Sequence, residues 1–584
     1  MKDDTKLPGP KDLQKELADY LSRKYGERVK VISPVIMRTE LNKDESDGRE
    51  AKPSSLNQVN FRLKPEELKE FLDQYIIKQD EAKTIVATKV CTHFNRAEFD
   101  RRLPQEDGGR SVGQVKNNIL MIGPTGVGKT YLIKLIAKKL GVPMVKADAT
   151  KFSETGYVGS DVEDLVRDLY HEAGENKELA EHGIIYIDEI DKIASSRNLI
   201  GPDVSRTGVQ RALLKPMEET EVDLKVSHDP ISQLQAMERY RRTGKREKRT
   251  INTKNILFIV SGAFPELIPI VKKRLQAHGV GFTAEISTPG KDTRFLHQIR
   301  SEDFIEYGFE SEFIGRLPVL AVLDPLAEED LHQILKNPNS PIITSKKKDF
   351  RSYGIDLLFD DKALARLARL AAAEKTGARG LVSVIERVLL PFESRLPSTE
   401  IHRFSISLNT VEDPEADLKA LLKDPDAPER QSHYDRLSAE ERQELLALIQ
   451  EHEELLEFCP SLPLSTTRVN LLAAFISQEF MDLTEAAARL KEIYNQVEVC
   501  ETKIFKQLGL TVEFTEGAAD ELVRRVVTEG QEPEQVYRLF YQDFRAGLRQ
   551  VSEKTGRRVF TITREAVLNP EEFLNDLAFE GFDD

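Results

Sequence analysis

The stretch KNNILMIGPTGVGKT, residues 116–130, decides the fold of this chain. An apolar run from Ile119 to Ile122 leads straight into GPTGVGKT and then into a helix-forming segment, the setting of a phosphate-binding loop. Gly123, Gly126 and Gly128 free the backbone so that N–H groups can converge on phosphate oxygens, and the following helix offers its positive end. Pro124, Thr125 and Val127 complete the loop. Lys129 is placed to reach the β- and γ-phosphates and Thr130 to hold Mg²⁺. The complete eight-residue pattern between a strand and a helix separates it from a chance glycine-rich turn.

Further along, GIIYIDEIDKI (183–193) sets Ile184 to Ile187 before Asp188 and Glu189. This spacing predicts a buried parallel strand that delivers Asp188 at its C-terminal end, where a carboxylate supports a metal shell. Glu189 beside it is the candidate for polarising an attacking water. An acidic pair after an apolar run is often only a strand end, but with the phosphate loop upstream the two read as halves of one site. The expected cofactors are ATP and Mg²⁺.

At 584 residues the chain exceeds a single hydrophobic core, so several domains are expected. Its 84 basic and 99 acidic residues give a net charge of −15, which argues against a general nucleic-acid binder. No apolar run approaches a membrane span and the start, MKDDTKLPGPKD, lacks a signal-peptide core, so a cytoplasmic protein is expected. Cys91, Cys459 and Cys500 form no CxxC pair; they read as packed thiols rather than a zinc site or disulfide framework.

Residues 1–58 read as a short module, LQKELADYLSRKYGERVKVISPVI, and a polar linker. From Pro65 the pattern predicts two helices joined by a turn, then alternating strands and helices to about residue 325, hence a parallel sheet covered on both faces. Residues 326–415 read as a helical domain closing in the strand pattern HRFSISL, and 416–505 as a charged helical extension in which Ser438 and Glu441 form a capping box. Residues 506–584 read as a degenerate repeat of the 326–415 domain. GIDLLFDDKALARLA (354–368) lines up with GLTVEFTEGAADELV (509–523), and RFSISLNTVEDP from Arg403 lines up with VFTITREAVLNP from Val559. The second copy has no counterpart of the first copy's TGARG.

Five further blocks join the two phosphate-site motifs: ADATKFSETGYVG (147–159), RTGVQRALLKPMEET (206–220), ILFIVSGAF (256–264), GFESEFIGRLPV (308–319) and KTGARGL (375–381). Together they resemble the AAA+ unfoldases of the ClpX type, with HslU as the nearer cousin, over about residues 65–415. The resemblance implies an α/β fold: a P-loop AAA+ large domain (59–325) with a parallel sheet, a helical small domain (326–415), and here a helical extension with a second small α/β module. It also implies roles. Tyr157 and Val158 match the pore loop that grips a substrate chain, and Arg316 matches the finger that reaches a neighbouring subunit's nucleotide. Arg379 matches the second sensor of the same subunit, and Ile76 and Ile77 match the adenine-contacting pair. Ser261 stands where a first sensor sits, but the family is not consistent there and it is not counted.

HGVGFTAEI (278–286) carries Val280-Gly281-Phe282, which resembles the tripeptide that docks a ClpP peptidase. The chain departs from ClpX in lacking an N-terminal cysteine-rich zinc module, in a longer segment between Glu221 and Thr250, and in the extension. Within that longer segment RYRRTGKREKR (239–249) reads either as a solvated loop or as a basic collar that attracts acidic substrate ends. The implied protein is an ATP-dependent unfoldase working as a homohexameric ring on protein substrates, and the ATP-binding subunit of a ClpP-like protease. Alternatives are a stand-alone remodelling chaperone and, from another class, a nucleic-acid-remodelling AAA+ motor.

Overall fold

In the computed structural model of the chain, the described residues are 59, 61–102, 116–152, 161–194, 204–224, 250–278, 292–452, 465–503 and 509–580. The chain divides into residues 1–54, which lie outside the described residues together with the rest of the N-terminal module, and a unit of residues 55–584.

Helices α1 (Pro65–Asp73) and α2 (Asp80–Arg102) form as the pattern from Pro65 predicts. Pro65 opens α1 where no backbone N–H is required. The turn between them holds Lys78 and Gln79 at φ 62° and 66°. It is stapled to the segment joining the two ATPase domains: the Gln79 amide exchanges two 2.8 Å hydrogen bonds with the Asp324 backbone, and Lys78 pairs with Asp330 at 2.8 Å.

The elements that follow are β1 (Ile119–Ile122), α3 (Lys129–Leu140), β2 (Met144–Asp148), α4 (Asp164–Glu172), β3 (Ile184–Asp188) and α5 (Val204–Met217). A short hairpin, β4 (Glu221–Asp223) with β5 (Thr250–Asn252), precedes β6 (Leu257–Gly262), α6 (Leu267–His278), α7 (Ser301–Tyr307), α8 (Ser311–Gly315) and β7 (Val319–Val322). Among the described residues the main sheet has the order β2-β3-β6-β1-β7, all parallel. The inner strands β1, β3 and β6 are largely apolar because both faces are covered, whereas the edge strand β2 carries Lys146 and Asp148. Ile119, Met121, Ile184, Tyr186 and Ile259 pack with α1, α2 and α3, whereas Leu120, Ile122, Ile187, Phe258 and Val260 pack with α4, α5 and α6. The order seats β6 between the strand that feeds the phosphate loop and the strand that ends in Asp188.

The small domain comprises α9 (Glu328–Lys336), α10 (Pro341–Arg351), β8 (Asp356–Phe359), α11 (Asp361–Ala373), α12 (Ala378–Arg395), β9 (Arg403–Ile406), α13 (Leu408–Glu412) and α14 (Pro414–Lys423). Its core runs on to Leu418 and Leu421 of α14, so the division expected at 415 falls inside one core. Next comes α15 (Pro428–Glu451), which passes unbroken through Ser438. The expected capping box is therefore corrected: Pro428 starts the helix, and Glu441 pairs instead with Lys347 at 2.6 Å.

The remaining elements repeat the small domain in order: α16 (Thr466–Glu479), α17 (Leu483–Lys503), β10 (Thr511–Phe514), α18 (Glu516–Glu529), α19 (Pro533–Thr555), β11 (Val559–Ile562), α20 (Arg564–Leu568) and α21 (Pro570–Glu580). Both copies carry a parallel strand pair in matching register, Phe359 opposite Ile406 and Phe514 opposite Ile562. The repeat thus begins with α16, not near residue 506, and one hydrophobic cluster from Ile449 to Val567 crosses the division expected there. The first two helices share only apolar periodicity with α9 and α10, which left no residue identities to align.

This second module buries Arg468 completely. Its guanidinium donates to Asp520 at 3.0 Å and pairs with Glu516 at 3.2 Å, and the Tyr494 hydroxyl donates to the same Asp520 oxygen at 2.7 Å. Removing one partner leaves buried charge uncompensated, so Arg468→Ala is expected to destabilise the module by about 3 kcal/mol or more. Urea unfolding of the full chain checks this: the variant should gain an early transition while the ATPase domains keep theirs.

Candidate nucleotide site

The phosphate loop runs from the end of β1 into α3. Gly126 and Gly128 sit at φ 75° and 94°, backbone that side chains with a Cβ rarely adopt, and Gly128 is the N-cap of α3. The Lys129 ammonium donates to the Gly123 and Pro124 carbonyls at 2.6 and 2.9 Å. Burial holds its pKa below the usual lysine range; Asp188 and Asp191 offset part of that effect and Arg379 adds to it. A partly desolvated cation at the N-terminal end of a helix is suited to an anion of high charge density.

Asp188 closes the opposite wall. Its Oδ1 accepts from Ser261 at 2.6 Å and from the Glu189 backbone N–H at 3.1 Å, and its Oδ2 lies 3.4 Å from the Thr130 hydroxyl and 3.2 Å from the Lys146 ammonium. Burial pushes this carboxyl up, but the hydrogen bonds from Ser261 and Lys146 outweigh it and hold the group below the ordinary carboxylate range. Tyr186, inside the sheet, joins both sides: its hydroxyl is 2.7 Å from Ser261 and 3.2 Å from Thr130. The Thr130 hydroxyl and the ionised Asp188 carboxylate, 3.4 Å apart, are hard oxygen donors of the kind that would suit Mg²⁺. Glu189 is exposed and lines the cleft with a left-handed backbone, φ 58°.

The small domain completes the cleft. The turn Thr376-Gly377 meets the phosphate loop backbone to backbone, and the Ala378 N–H donates to the Gly126 carbonyl at 2.8 Å. A Cβ on Gly126 would lie 2.1 Å from the Thr376 carbonyl oxygen, and one on Gly377 would lie 2.7 Å from the Gly126 carbonyl oxygen. The cavity, about 340 Å³, is lined by the loop from Thr125, by Asp188, Glu189 and Asp191, and by Ala378, Arg379 and Val382 of α12. A larger cavity of about 550 Å³ between β9 and α15 contains none of these groups, so size does not mark the site.

The structure brings together Thr125, Gly126, Val127, Gly128, Lys129, Thr130, Asp188, Glu189 and Arg379. Arg316 is not among the lining residues; it caps α8, is half-exposed and pairs with Glu218. Ile76 is buried in the core with α1 and α2, and Ile77 lines a separate groove with Asn337 and Leu448. Tyr157, Val158, Val280, Gly281 and Phe282 lie outside the described residues, as does the basic stretch 239–249. Tyr186 and Lys146 were not read from the sequence, Thr376-Gly377 were quoted within KTGARGL without the role of meeting the phosphate loop, and Ser261 was noted but not counted. A tyrosine inside the fully apolar run before Asp188 was the one available signal, because a buried hydroxyl must find a partner.

A P-loop on a five-stranded parallel sheet, a strand-end Asp-Glu pair, and a second domain contributing an arginine to the same cleft define a AAA+ ATPase. Consistent with this, the AAA domain (Cdc48 subfamily) matches residues 114–320, and the C-terminal, D2-small domain, of ClpB protein matches residues 326–400. The ATP-dependent Clp protease ATP-binding subunit ClpX of Bacteroides thetaiotaomicron is 38% identical over 370 residues, 62% of this chain and 85% of that protein. ClpX 3 of Methylococcus capsulatus is 39% identical over 363 residues, 60% and 80% of the two chains, and ClpX of Borrelia duttonii 39% over 362 residues, 62% and 80%. The chain belongs to the ClpX family of AAA+ unfoldases.

The backbone contact between the two domains gives a direct test. Gly377→Ala places a Cβ where the Gly126 carbonyl stands and in a positive-φ position, so nucleotide affinity is expected to fall about tenfold, equivalent to about 1.4 kcal/mol. Titration with a fluorescent ATP analogue measures it.

Proposed function

We propose that this chain hydrolyses Mg²⁺-ATP to pull protein substrates through a homohexameric ring, as the ATP-binding subunit of a ClpP-like protease. The observation that carries the reading is the single cleft in which loop, Asp188-Glu189 strand end and the Arg379 helix meet across two domains of one chain. Lys129 would hold the β- and γ-phosphates, Thr130 and Asp188 would hold the metal, and the metal would neutralise charge on the transferring phosphoryl group. Glu189, exposed beside an ionised Asp188, would orient and activate the attacking water.

Arg316 would serve a neighbour's site; its distance from this chain's own cleft lining and its exposed position support that role. A closed ring supplies one such arginine to every site. Movement of the small domain against the large one would then be passed to Tyr157 and Val158 as the grip on substrate. Val280-Gly281-Phe282 would seat on the peptidase, a reading supported by the relatives named as subunits of Clp protease. Repeated around a ring, an apolar–aromatic tip binds weakly singly and strongly together. Among the described residues no helix is long and apolar enough to cross a membrane, and a cytoplasmic setting is part of the proposal.

Two measurements test it. Glu189→Gln should bind ATP normally yet turn over at least about a hundredfold more slowly, the effect of losing a positioned base; near-normal turnover would remove Glu189 from the chemistry. Phe282→Ala should abolish association with a ClpP-like peptidase in a pull-down while the ATPase rate stays largely intact. Wild-type chain that binds no such peptidase would instead favour a stand-alone remodelling chaperone.

A further inference from the structure

The extension, for which the family offers no role, touches both ATPase domains of its own chain. On the small domain, α15 packs on the β8–β9 pair: the Tyr434 hydroxyl donates to Asp356 at 2.5 Å and Lys347 pairs with Glu441 at 2.6 Å. The corner between α16 and α17 continues this contact, since the Arg351 guanidinium stacks over the Phe480 ring at 5.9 Å from its centre. Phe480 ends α16 in a left-handed backbone, φ 52°, which turns the chain sharply into Asp482.

On the large domain the same corner meets the far end of the phosphate-loop helix. Lys138, in the last turn of α3, donates to Asp482 at 3.2 Å and to Glu485 at 3.3 Å. Asp482 is itself held in place, because its other oxygen accepts the Glu485 backbone N–H at 2.8 Å at the start of α17. The Tyr75 hydroxyl, from the turn after α1, lies beside the same carboxylate. A positive side chain at the end of one helix thus faces a carboxylate at the beginning of another, the pairing that both helix dipoles favour.

We propose that α15 and the Phe480–Glu485 corner together form a brace across the segment 324–326 that joins the two domains, tying the small domain to the rear of α3 and restraining the rotation between the ATPase domains. The front of α3 carries Lys129 and Thr130, and its rear carries Lys138. A rotation that opens the cleft at one end must therefore slide or part the Lys138 contact at the other. The contact is exposed, Lys138 being 61% accessible, so it is screened by salt and weak enough to break in each cycle. It is suited to set the pace of the motor rather than to stop it.

This inference rests on the motor reading above, and its experiment uses the full chain with two readouts. The first is steady-state ATPase. Lys138→Glu is expected to raise the rate about two- to fivefold at low salt, the range such surface pairs carry. Lys138→Glu with Glu485→Lys should return most of the way to wild type, and high salt should narrow the difference. The second is hydrogen exchange, in which Lys138→Glu should speed exchange over residues 480–487 in the nucleotide-free chain.

A variant rate equal to or below wild type overturns the brace, as does unaltered exchange at 480–487. If the wild type shows no ATPase, the motor reading fails separately. Exchange then decides the brace: a non-hydrolysed ATP analogue must alter protection at 480–487, and if it does not the inference is wrong.

Discussion

The backbone contact between Gly126 and the Thr376–Ala378 turn is the constraint on which the rest of this site depends. Two loops from different domains approach so closely that neither can carry a Cβ at the point of contact, and both glycines sit at positive φ. The hydrogen bond from the Ala378 N–H to the Gly126 carbonyl makes the position of α12, and therefore of Arg379, a direct function of phosphate-loop geometry. The two domains thus meet at the phosphate loop backbone to backbone, without an intervening side chain.

The opposite wall is organised around an excess of donors on one carboxylate. Asp188 receives Ser261, the Glu189 N–H and the Lys146 cation, and the Tyr186 hydroxyl links this group to Thr130 through the interior of the sheet. These bonds keep Asp188 ionised despite burial and fix its orientation, which reduces the reorganisation that nucleotide binding requires. Glu189, one residue later, gives its backbone N–H to this network, while a left-handed backbone that costs about 1 kcal/mol leaves its side chain exposed in the cleft.

The extension shows how a duplicated module changes use. Its eight elements follow the order of the small domain and its strand pair keeps the register, yet α19 begins with Pro533 where α12 begins with the Ala378-Arg379 of the nucleotide cleft. Asp520 takes a place in the buried polar cluster around Arg468, within a core otherwise built, like the small domain's, from aliphatic and aromatic side chains. The second module meets the ATPase domains through its Phe480–Asp482 corner, and α15, which precedes it, packs on the small domain.

Local chemistry carried most of the site. The phosphate loop and the Asp188-Glu189 pair are contiguous patterns whose chemistry follows from residue type and spacing, the TGARG turn was marked only by its resemblance to a family block, and the parallel sheet and the second module's strands were legible in the chain. What only the tertiary structure decided depends on neighbours distant in sequence. The order β2-β3-β6-β1-β7 brings Ser261 against Asp188, and Lys146 reaches that carboxylate only because β2 pairs with β3. Ser438 and Glu441 match a capping pattern locally, but a helix already propagating from Pro428 overrides it, since extending a helix costs less than ending one and nucleating another. The first half of the repeat stayed hidden because helices that pack on a core need only keep an apolar stripe, which many sequences satisfy, whereas a loop that must hold phosphate admits very few.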